Sequence, residues 1–364
     1  MRTVRHLLRN PKPPLLTSTF SGALTVITPP RLAPVFPQGR RPSNSDYELS
    51  PIHGTDRGQI EYDFPGVLVG TAEYAEGPTG ATVLSIPSGA RTFTDRRGGA
   101  VGASGLYDFN HAICLAGGSV YGLSAVAGVS EALFDRVDHQ ADFDQLQLVS
   151  GAIIYDYSVR ENSVHPDVAL GKAALDAAKH GSVEVGRVGG GASASSGKVD
   201  PARVEFTGQG AAFRQVGDVK VLVITVLNPY GVILDRAGRI VRGNYDATTG
   251  ERRHPSQDYQ EAIGESRLVD SMAGNTTITA VVTNVRLTDT ELKQFGLQVH
   301  SSMHRGIQPF HTPLDGDTLF ALTTDEVVLP QDPGTSRGRL SLNSTAVATL
   351  AGEAAWDAIL CAAG

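Results

Sequence analysis

The chain changes character within one stretch, Ala273-Gly274-Asn275-Thr276-Thr277-Ile278-Thr279-Ala280-Val281-Val282-Thr283-Asn284. The residues before this stretch are mostly polar, whereas those from Thr276 onward are apolar or β-branched. β-branched side chains favour extended backbone because they pack well on a pleated surface. We therefore predict a buried strand over Thr276–Arg286 that begins directly after a flexible segment.

The Asn275-Thr276 junction suits a self-cleavage reaction. A Thr hydroxyl at the start of a buried strand can attack the carbonyl of the preceding residue, which cuts the chain. Thr276 would then carry a free α-amine, and this amine can act as the base for its own hydroxyl. The alternative is that Thr276 simply opens a strand, since Thr is a good strand former.

Two polar residues upstream, Asn228 and Lys198, are candidate site residues. The run Lys220–Val226 is nearly continuously apolar and predicts a central strand. It leads to Asn228, whose amide is suited to donate to an oxyanion, although a turn Asn before Pro is the alternative. The Gly- and Ser-rich segment 189–198 has the wrong spacing for a phosphate-binding loop, so we expect it to aim Lys198 at a substrate. The alternative for Lys198 is a solvated surface lysine.

Two carboxylates downstream are candidates for the same site. Asp315 and Asp317 precede a predicted strand over Thr318–Thr323. On extended backbone they face the same side, where they could hold a Thr hydroxyl and tune its amine. A β-turn or a calcium-like loop are the alternatives, and the calcium pattern lacks the ligands that should follow.

The remaining elements predict an α/β protein with strands and small-residue helices in layers. Thr288 and Glu291 form a capping box that starts a helix, on which His300 and His304 lie four residues apart. This pair lacks a third metal ligand, so a helix-end or interface role is favoured. We predict further strands at Phe64–Glu73, Ala81–Ile86, Leu146–Tyr155 and Ala211–Asp218, a turn at 87–89, a loop over 91–105, and helices at Phe109–Arg136, Pro166–Lys179 and Leu342–Ala363.

Composition excludes several classes of protein. The chain has 364 residues and a net charge of −7, which argues against nucleic-acid binding. Cys114 and Cys361 lie in apolar runs, so we expect reduced core thiols in a cytoplasmic protein. No zinc motif is present, and we expect no cofactor and no metal. We also expect that no apolar run reaches membrane-spanning length.

Two segments have little predicted structure. Residues 1–45 hold seven Arg or Lys, eight prolines and no acid. Such a segment does not fold easily by itself, so we predict a flexible extension. It would either lie over a neighbouring subunit or precede the true start of the protein. We predict a single catalytic domain over 46–364. Residues 244–274 are polar and are expected to be flexible. The string Gly334–Gly338 matches a nucleophile elbow, but it does not follow a buried strand.

Several long strings resemble the nylon-oligomer hydrolases (6-aminohexanoate-oligomer endohydrolases) of the self-processing DmpA-like aminopeptidase family. The resemblance begins near Tyr62 and leaves out residues 1–45. The strings are Gly274-Asn275-Thr276-Thr277, Asp108-Phe109-Asn110-His111-Ala112-Ile113-Cys114-Leu115-Ala116-Gly117-Gly118, Gly243-Asn244-Tyr245-Asp246-Ala247 and His300-Ser301-Ser302-Met303-His304-Arg305-Gly306-Ile307-Gln308-Pro309-Phe310-His311.

The resemblance implies a fold and a processing event. It implies the stacked αββα sandwich of the DmpA-like N-terminal-nucleophile type. Cleavage between Asn275 and Thr276 would give an α-chain, 1–275, and a β-chain, 276–364. The resemblance also implies homo-oligomers, either dimers or a tetramer of such αβ units.

The resemblance further implies a hydrolase of internal amides in 6-aminohexanoate oligomers. A β- or D-aminopeptidase is the alternative within enzymes, and an uncleaved scaffold is the alternative from another class. In the implied site Thr276 is the nucleophile. Lys198 and Asn228 polarise and stabilise, Asp315 and Asp317 orient Thr276 and its amine, and Tyr155 lies nearby.

Overall fold

A computed structural model describes residues 29–53, 58–268, 272, 274–330 and 342–364. Within these ranges the chain is a mixed α/β protein. The helices are α1 (Leu123–Arg136), α2 (Val168–Asp176), α3 (Pro255–Gly264), α4 (Asp289–Ser302) and α5 (Leu342–Ala363). The strands are β1 (Gln59–Glu61), β2 (Leu68–Tyr74), β3 (Thr79–Arg96), β4 (Ala103–Ser104), β5 (Phe109–Ala116), β6 (Val149–Ile153), β7 (Ser182–Glu184), β8 (Ser195–Ser196), β9 (Glu205–Phe206), β10 (Gln209–Val216), β11 (Val219–Asn228), β12 (Val232–Leu234), β13 (Ile240–Arg242), β14 (Tyr245–Asp246), β15 (Glu251–Arg252), β16 (Thr276–Val285), β17 (Ile307–Gln308) and β18 (Thr318–Val327).

The largest sheet runs in the order β10-β11-β16-β18-β3-β5-β6-β4, and β2 pairs with β3 beside this path. Strand β3 connects its two halves. The first part of β3 pairs with β2 and β5, whereas its last residues pair with β18. The register with β5 shifts between Ser85 and Ala90. Such an irregularity bends a strand and increases its twist, so each half of the sheet can pack on different neighbours.

Alternating side chains of these strands enter three separate clusters of buried residues. Helices α4 and α5 pack on the face of the sheet that carries Val223 and Val281. Helices α1 and α2 pack on the face that carries Val83 and Cys114. The opposite faces of both halves share one further cluster, which includes Leu84, Ile113, Ile224, Ile278 and Phe320. Strand β16, which begins at Thr276, is therefore covered by apolar side chains on both faces.

Four elements begin where the sequence predicts them to begin. Strand β16 starts at Thr276 and ends at Val285, one residue before the predicted end. Helix α4 has its capping box, in which the Thr288 N–H donates to the Glu291 carboxylate at 2.9 Å. Strand β18 starts at Thr318, and α5 has the predicted bounds. Because these signals are local, short stretches of sequence are enough to predict them.

The segment Phe109–Arg136 is not one helix, and that prediction was wrong. Its first part is strand β5, which ends before the pair Gly117-Gly118. A short 3-10 helix follows at Ser119–Gly122, and only Leu123–Arg136 is α-helical. Residues of β5 are buried on both faces, as Ile113 and Cys114 show. A strand buried on both faces has no polar alternation, so its apolar run cannot be told from a buried helix by periodicity.

Two predicted irregular segments are also more regular than expected. The predicted turn at 87–89 and the first part of the predicted loop over 91–105 belong to strand β3. The segment 244–274 contains the β14–β15 hairpin and helix α3. His254 caps α3 by accepting a hydrogen bond from the Ser256 N–H, and Pro255 starts the helix. This segment is therefore not simply flexible, because a cap and a starting proline compensate for its weak periodicity.

Helix α5 corrects the expectation about membrane-spanning runs. Ser344–Ala363 is long and apolar enough to cross a bilayer by length and composition, with a mean hydropathy of 1.3. Core helices of soluble proteins can have the same length and composition. Ala354, Ala355, Ala358 and Ile359 are buried in the cluster that also holds residues of β11 and β16. We therefore read α5 as a core helix.

Residues 29–45 of the predicted N-terminal extension lie against the rest of the chain. The Ala33 N–H donates to the Val204 carbonyl at 2.8 Å, and Arg41 donates to the Tyr157 carbonyl at 2.7 Å. The buried guanidinium of Arg242 donates to the Pro29 carbonyl at 2.7 Å and to the Ala363 carbonyl at 2.8 Å. Residues 1–28 and the nucleophile-elbow string Gly334–Gly338 lie outside the described residues.

Candidate active site

The candidate site forms where β16 begins, between two neighbouring strands. Asn228 on β11 is the antiparallel register partner of Thr276. Strand β18 runs parallel to β16, so the segment before β18 lies beside the segment before β16. An isolated bridge joins Asn275 to Asp315 across this gap. The sheet therefore brings Asn228, Thr276 and the two predicted carboxylates together, as the sequence and the resemblance led us to expect.

The peptide bond between Asn275 and Thr276 is enclosed. The Gly316 N–H donates to the Asn275 carbonyl oxygen at 2.8 Å, and the Thr276 hydroxyl contacts the same oxygen. Asn275 is fully buried, and Thr276 is 3% exposed. A backbone donor on the carbonyl oxygen polarises that bond, and burial strengthens this effect because little water competes.

Two glycines let other groups approach this bond. Gly274 has a φ of +85°, and a β-carbon there would lie 2.4 Å from the Tyr155 ring. A β-carbon at Gly316 would lie 2.9 Å from the Thr276 hydroxyl oxygen and 2.3 Å from the Ala100 carbonyl oxygen. Only glycine fits both positions without a shift of the surrounding backbone. The Tyr155 ring therefore lies against the chain just before the bond, as the resemblance implied.

Lys198 is buried, so the surface-lysine alternative was wrong. Its ammonium group donates to the side-chain oxygen of Asn228 at 2.8 Å and to the Asn228 carbonyl at 3.1 Å. Burial lowers the Lys198 pKa to about 7, against the opposing attraction of Asp315 and Asp156. A lysine with such a pKa is partly neutral near pH 7, and it can then accept or donate a proton.

Asn228 has a different set of partners from those predicted. It lies within β11 and is fully buried, so it is not a turn residue. Its side-chain oxygen accepts from Lys198 and from the Ser195 N–H at 3.1 Å, while its amide donates to the Tyr155 carbonyl at 3.0 Å. In the uncleaved chain this amide holds Tyr155, and the donor on the Asn275 carbonyl is Gly316.

Asp315 and Asp317 are both buried and bind separate groups. Asp315 accepts from the Tyr230 N–H at 3.1 Å and from the Thr312 N–H at 3.0 Å. Asp317 accepts from the Thr277 N–H at 2.7 Å. Burial raises the pKa of each carboxyl group, and the neighbouring Asp315 adds to the rise at Asp317.

The predicted contact between these carboxylates and the Thr276 hydroxyl is absent from the described residues. That hydroxyl contacts the Asn275 carbonyl oxygen instead. Asp317 holds the amide of the next residue, Thr277, and so fixes the start of β16. The carboxylates therefore position the strand rather than the hydroxyl in this state.

Sequence reasoning missed three residues at the site. Gly316 contributes a backbone donor, which its identity did not indicate. Gln38 exchanges hydrogen bonds with the Tyr155 hydroxyl, at 3.0 and 3.3 Å, from a proline-rich segment with no predicted contact. His311 lies 2.8 Å from the Asp317 carboxylate. Its only signal was its place at the end of a string that carries the resemblance.

His300 and His304 do not form a metal site with a third ligand. Nδ1 of His300 lies 2.9 Å from the Asp95 carboxylate, and the ring is 1% exposed. Among the residues that the structure describes, no group of three or more His, Cys, Asp or Glu side chains is arranged to hold a metal ion. The pair instead packs with Phe310 and His311.

Comparison with known proteins confirms the resemblance. A model of peptidase family S58 matches residues 61–364. The chain is 60% identical over 353 residues to a protein of Paenarthrobacter ureafaciens named 6-aminohexanoate-oligomer endohydrolase, in an alignment that covers 96% of this chain and 99% of the relative. An alignment of that extent reaches into residues 1–45, so the expectation that the resemblance leaves this segment out was wrong.

Two solved structures are similar in fold. The L-aminopeptidase D-Ala-esterase/amidase of Ochrobactrum anthropi, described as a variant of the Ntn-hydrolase fold, has a TM-score of 0.58 and 16% identity, covering 82% of this chain and 83% of that chain. A β-aminopeptidase of Burkholderia sp. has a TM-score of 0.55 and 19% identity, covering 92% and 89%. At these identities the likeness concerns the fold alone. The family match and the 60% identical relative lead to one conclusion: this chain is a member of peptidase family S58.

Proposed function

We propose that this protein is a self-processing amidohydrolase that cuts internal amide bonds of 6-aminohexanoate oligomers, with Thr276 as its N-terminal nucleophile. The observation that carries the proposal is the buried Asn275-Thr276 bond, whose carbonyl oxygen accepts from Gly316 and contacts the Thr276 hydroxyl. The substrate follows from the name of the relative in Paenarthrobacter ureafaciens, with which the chain shares 60% identity.

In the first stage the chain cuts itself. The Thr276 hydroxyl oxygen bonds to the Asn275 carbonyl carbon, while the Gly316 N–H stabilises the oxygen that becomes negative. The bond from that carbon to the Thr276 nitrogen breaks, and the hydroxyl proton ends on the nitrogen. Water then hydrolyses the resulting ester. The products are an Asn275 carboxylate and a Thr276 that carries a free amine and a free hydroxyl.

In the second stage Thr276 attacks a substrate amide. Its α-amine has a reference pKa of about 7.7–8.0, so it can accept the hydroxyl proton near neutral pH. The hydroxyl oxygen bonds to the substrate carbonyl carbon, and the amine product leaves with a proton. Water then releases the acid and restores Thr276. Both products of a linear oligoamide are shorter oligomers or monomers.

The buried polar residues supply proton transfer and orientation. Lys198, with its lowered pKa, is suited to shuttle a proton or to stabilise a developing oxyanion through its contact with Asn228. Asp317 binds the Thr277 N–H, from which position it can orient the amine of Thr276 once that amine is free. Asp315 holds the loop that carries the Gly316 donor through its bonds with Thr312. No cofactor is needed for this chemistry.

We infer that the layers follow the αββα order of the Ntn hydrolases. Support comes from the three clusters, two of which lie under helices while one lies between the sheet faces. Cleavage would leave β10 and β11 on the α-chain, 1–275, and β16 and β18 on the β-chain, 276–364. Since β11 pairs with β16, the two chains would stay joined in one sheet.

We also propose an oligomeric state and a cellular location. A homo-oligomer of αβ units, either a dimer or a tetramer, and a cytoplasmic location are the expected state. Both cysteines are free, and burial raises the Cys114 pKa to about 12, which keeps that thiol unreactive. Such thiols suit a reducing compartment.

The test is hydrolysis of a linear 6-aminohexanoate oligomer by the purified protein, with products identified by mass. We expect cleavage at internal amides, including those of an oligomer whose amino terminus is acetylated. A β- or D-aminopeptidase would instead require the free amine and would release residues only from that end. A protein that cleaves neither substrate and stays uncut would be the scaffold alternative.

A further inference from the structure

A histidine outside the proposed mechanism lies against one of its carboxylates. Nδ1 of His311 is 2.8 Å from one oxygen of the Asp317 carboxyl group, and the His311 backbone N–H donates to that same oxygen at 3.1 Å. The other oxygen accepts from the Thr277 N–H at 2.7 Å. The carboxyl group is therefore held from two sides, by the segment before β18 and by the start of β16.

The His311 ring is itself fixed by its neighbours. It stacks on Phe310 with ring centroids 3.8 Å apart, and it meets His300 and His304 edge-on at 4.4 and 4.8 Å. His300 is in turn anchored by Asp95 at 2.9 Å. A side chain with this many ring contacts has one available orientation, so its nitrogen stays directed at the carboxylate.

The hydrogen-bond geometry selects one tautomer of His311. Its Nε2 is buried and has no hydrogen-bond partner within the described part of the chain. A buried donor without an acceptor costs free energy, so a hydrogen on Nε2 is disfavoured. A hydrogen on Nδ1 instead reaches the Asp317 carboxylate. The imidazole is therefore a neutral donor to that carboxylate.

We propose that His311 is a positioning residue for Asp317, whose carboxylate it holds in the orientation needed to receive the amine of Thr276. The inference rests on the proposed function, in which Asp317 orients that amine. His311 binds Asp317, and Asp317 in turn binds the start of β16 next to Thr276. His311 acts through Asp317 and does not touch the reacting atoms.

The charges around His311 favour its neutral form. Burial lowers the His311 pKa, and the nearby His300, His304 and Arg97 act in the same direction. His311 therefore does not change charge between neutral and alkaline pH. The titrating partner is Asp317, whose pKa is raised by its own burial and by Asp315. Loss of the His311 donor would destabilise the ionised carboxylate and raise the Asp317 pKa further.

Three variants test the proposal through kcat, KM and their pH dependence on a linear 6-aminohexanoate oligomer. His311→Leu should lower kcat by about 10- to 100-fold, as when an orienting partner is removed, with KM little changed. The acidic limb of its kcat profile should move to higher pH. His311→Asn should restore most of kcat, because its amide N–H can replace Nδ1–H. His180→Leu, which removes an exposed imidazole that packs on Tyr62 and not on His311, is the matched control and should behave as wild type.

Two kinetic results would overturn the inference. One is a His311→Leu enzyme with the kcat and pH profile of the wild type. The other is a His311→Asn enzyme as impaired as His311→Leu, which would indicate that the ring supports packing only. A wild-type protein that cleaves no oligomer would instead contradict the proposed function. The His311 inference would then have to be tested by a measurement that does not depend on activity.

That readout is nitrogen NMR of histidine-labelled, uncleaved Thr276→Ala protein. The signal lost in the His311→Asn variant identifies His311. We expect it to have the Nδ1–H tautomer at neutral pH, with a proton protected from exchange with water. An Nε2–H tautomer, or a rapidly exchanging proton, would contradict the proposed hydrogen bond whether or not the protein hydrolyses oligomers.

Discussion

The Gly316 amide nitrogen lies 2.8 Å from the carbonyl oxygen of Asn275, the residue whose peptide bond with Thr276 starts strand β16. This contact exists because β16 and β18 are parallel neighbours, so the segments that lead into them run side by side. The donor is a backbone group in a buried, uncleaved site. It is therefore preorganised for the charge that forms on the carbonyl oxygen when Thr276 attacks.

Gly316→Ala should slow self-cleavage. Its β-carbon would meet the Ala100 carbonyl oxygen at 2.3 Å and the Thr276 hydroxyl at 2.9 Å, so the loop must shift away from the bond. A displacement of about 1 Å at a reacting centre can cost about 100-fold in rate. The measurement is the rate of fragment formation by intact mass. Gly264→Ala, where nothing lies within 4 Å of the new β-carbon, is the control. Wild-type cleavage by a folded Gly316→Ala protein would contradict the role of this donor.

Thr276→Ala should give a folded, full-length chain without hydrolytic activity. It removes the hydroxyl but leaves the register of β16 and its apolar neighbours intact, so the circular dichroism spectrum should not change. Thr276→Ser keeps a hydroxyl and should retain cleavage at a reduced rate. The appearance of two fragments from Thr276→Ala would rule out this residue as the nucleophile.

Lys198→Met should change how stability depends on pH. The Lys198 pKa is lowered to about 7 in the folded protein, whereas an unfolded lysine titrates near 10.5. Between these values the unfolded chain binds the extra proton, so this group makes stability rise with pH. The slope is up to about 1.4 kcal/mol per pH unit.

We therefore expect a stability advantage of Lys198→Met that is largest at pH 7 and below and shrinks toward pH 10. The measurement is urea unfolding of uncleaved Thr276→Ala protein with and without the Lys198 change. Comparing two variants cancels the contributions of titratable groups that do not interact with Lys198. An advantage that is equal at both pH values would show that Lys198 has an ordinary pKa.

Glu205→Ala should destabilise the fold strongly. Glu205 is fully buried and lies 3.3 Å from the buried Arg242 and 2.7 Å from Arg252. Removing one partner of a buried ion pair typically costs about 3–5 kcal/mol, because the remaining charge stays buried. The measurement is urea unfolding in the Thr276→Ala background. Lys172→Ala removes an exposed pair with Asp135 that water screens, so a much smaller loss is expected there. Equal losses of unfolding free energy in the two variants would contradict the claim that Glu205 compensates the buried charges of Arg242 and Arg252.

The sequence predicted the site where its signals were local. The change of composition at Thr276, the capping box at Thr288 and the Asp315-Gly316-Asp317 turn into β18 each need only a few neighbouring residues. Tyr155 was available only through the resemblance. Its contact with Gly274 depends on a positive φ and on chain segments far apart in sequence.

The features of the fold and of the site that the sequence did not predict depend on long-range packing. The sequence predicts a helix where strand β5 forms, because burial on both faces removes the alternation that distinguishes a strand. The sequence left a surface position open for Lys198, and its burial depends on β11, which places Asn228 beside it. The donation by Gly316 and the pairing of His311 with Asp317 are set by segments that meet only in the folded sheet. Nothing in the identities of those residues indicates either contact.

The intact mass of the purified wild-type protein shows whether Thr276 becomes a free N-terminal residue. We expect two species, one ending at Asn275 and one beginning at Thr276, which stay associated in one particle. A single full-length species after long incubation at neutral pH, from protein that nevertheless hydrolyses 6-aminohexanoate oligomers, would contradict the claim that Thr276 acts as a freed N-terminal nucleophile.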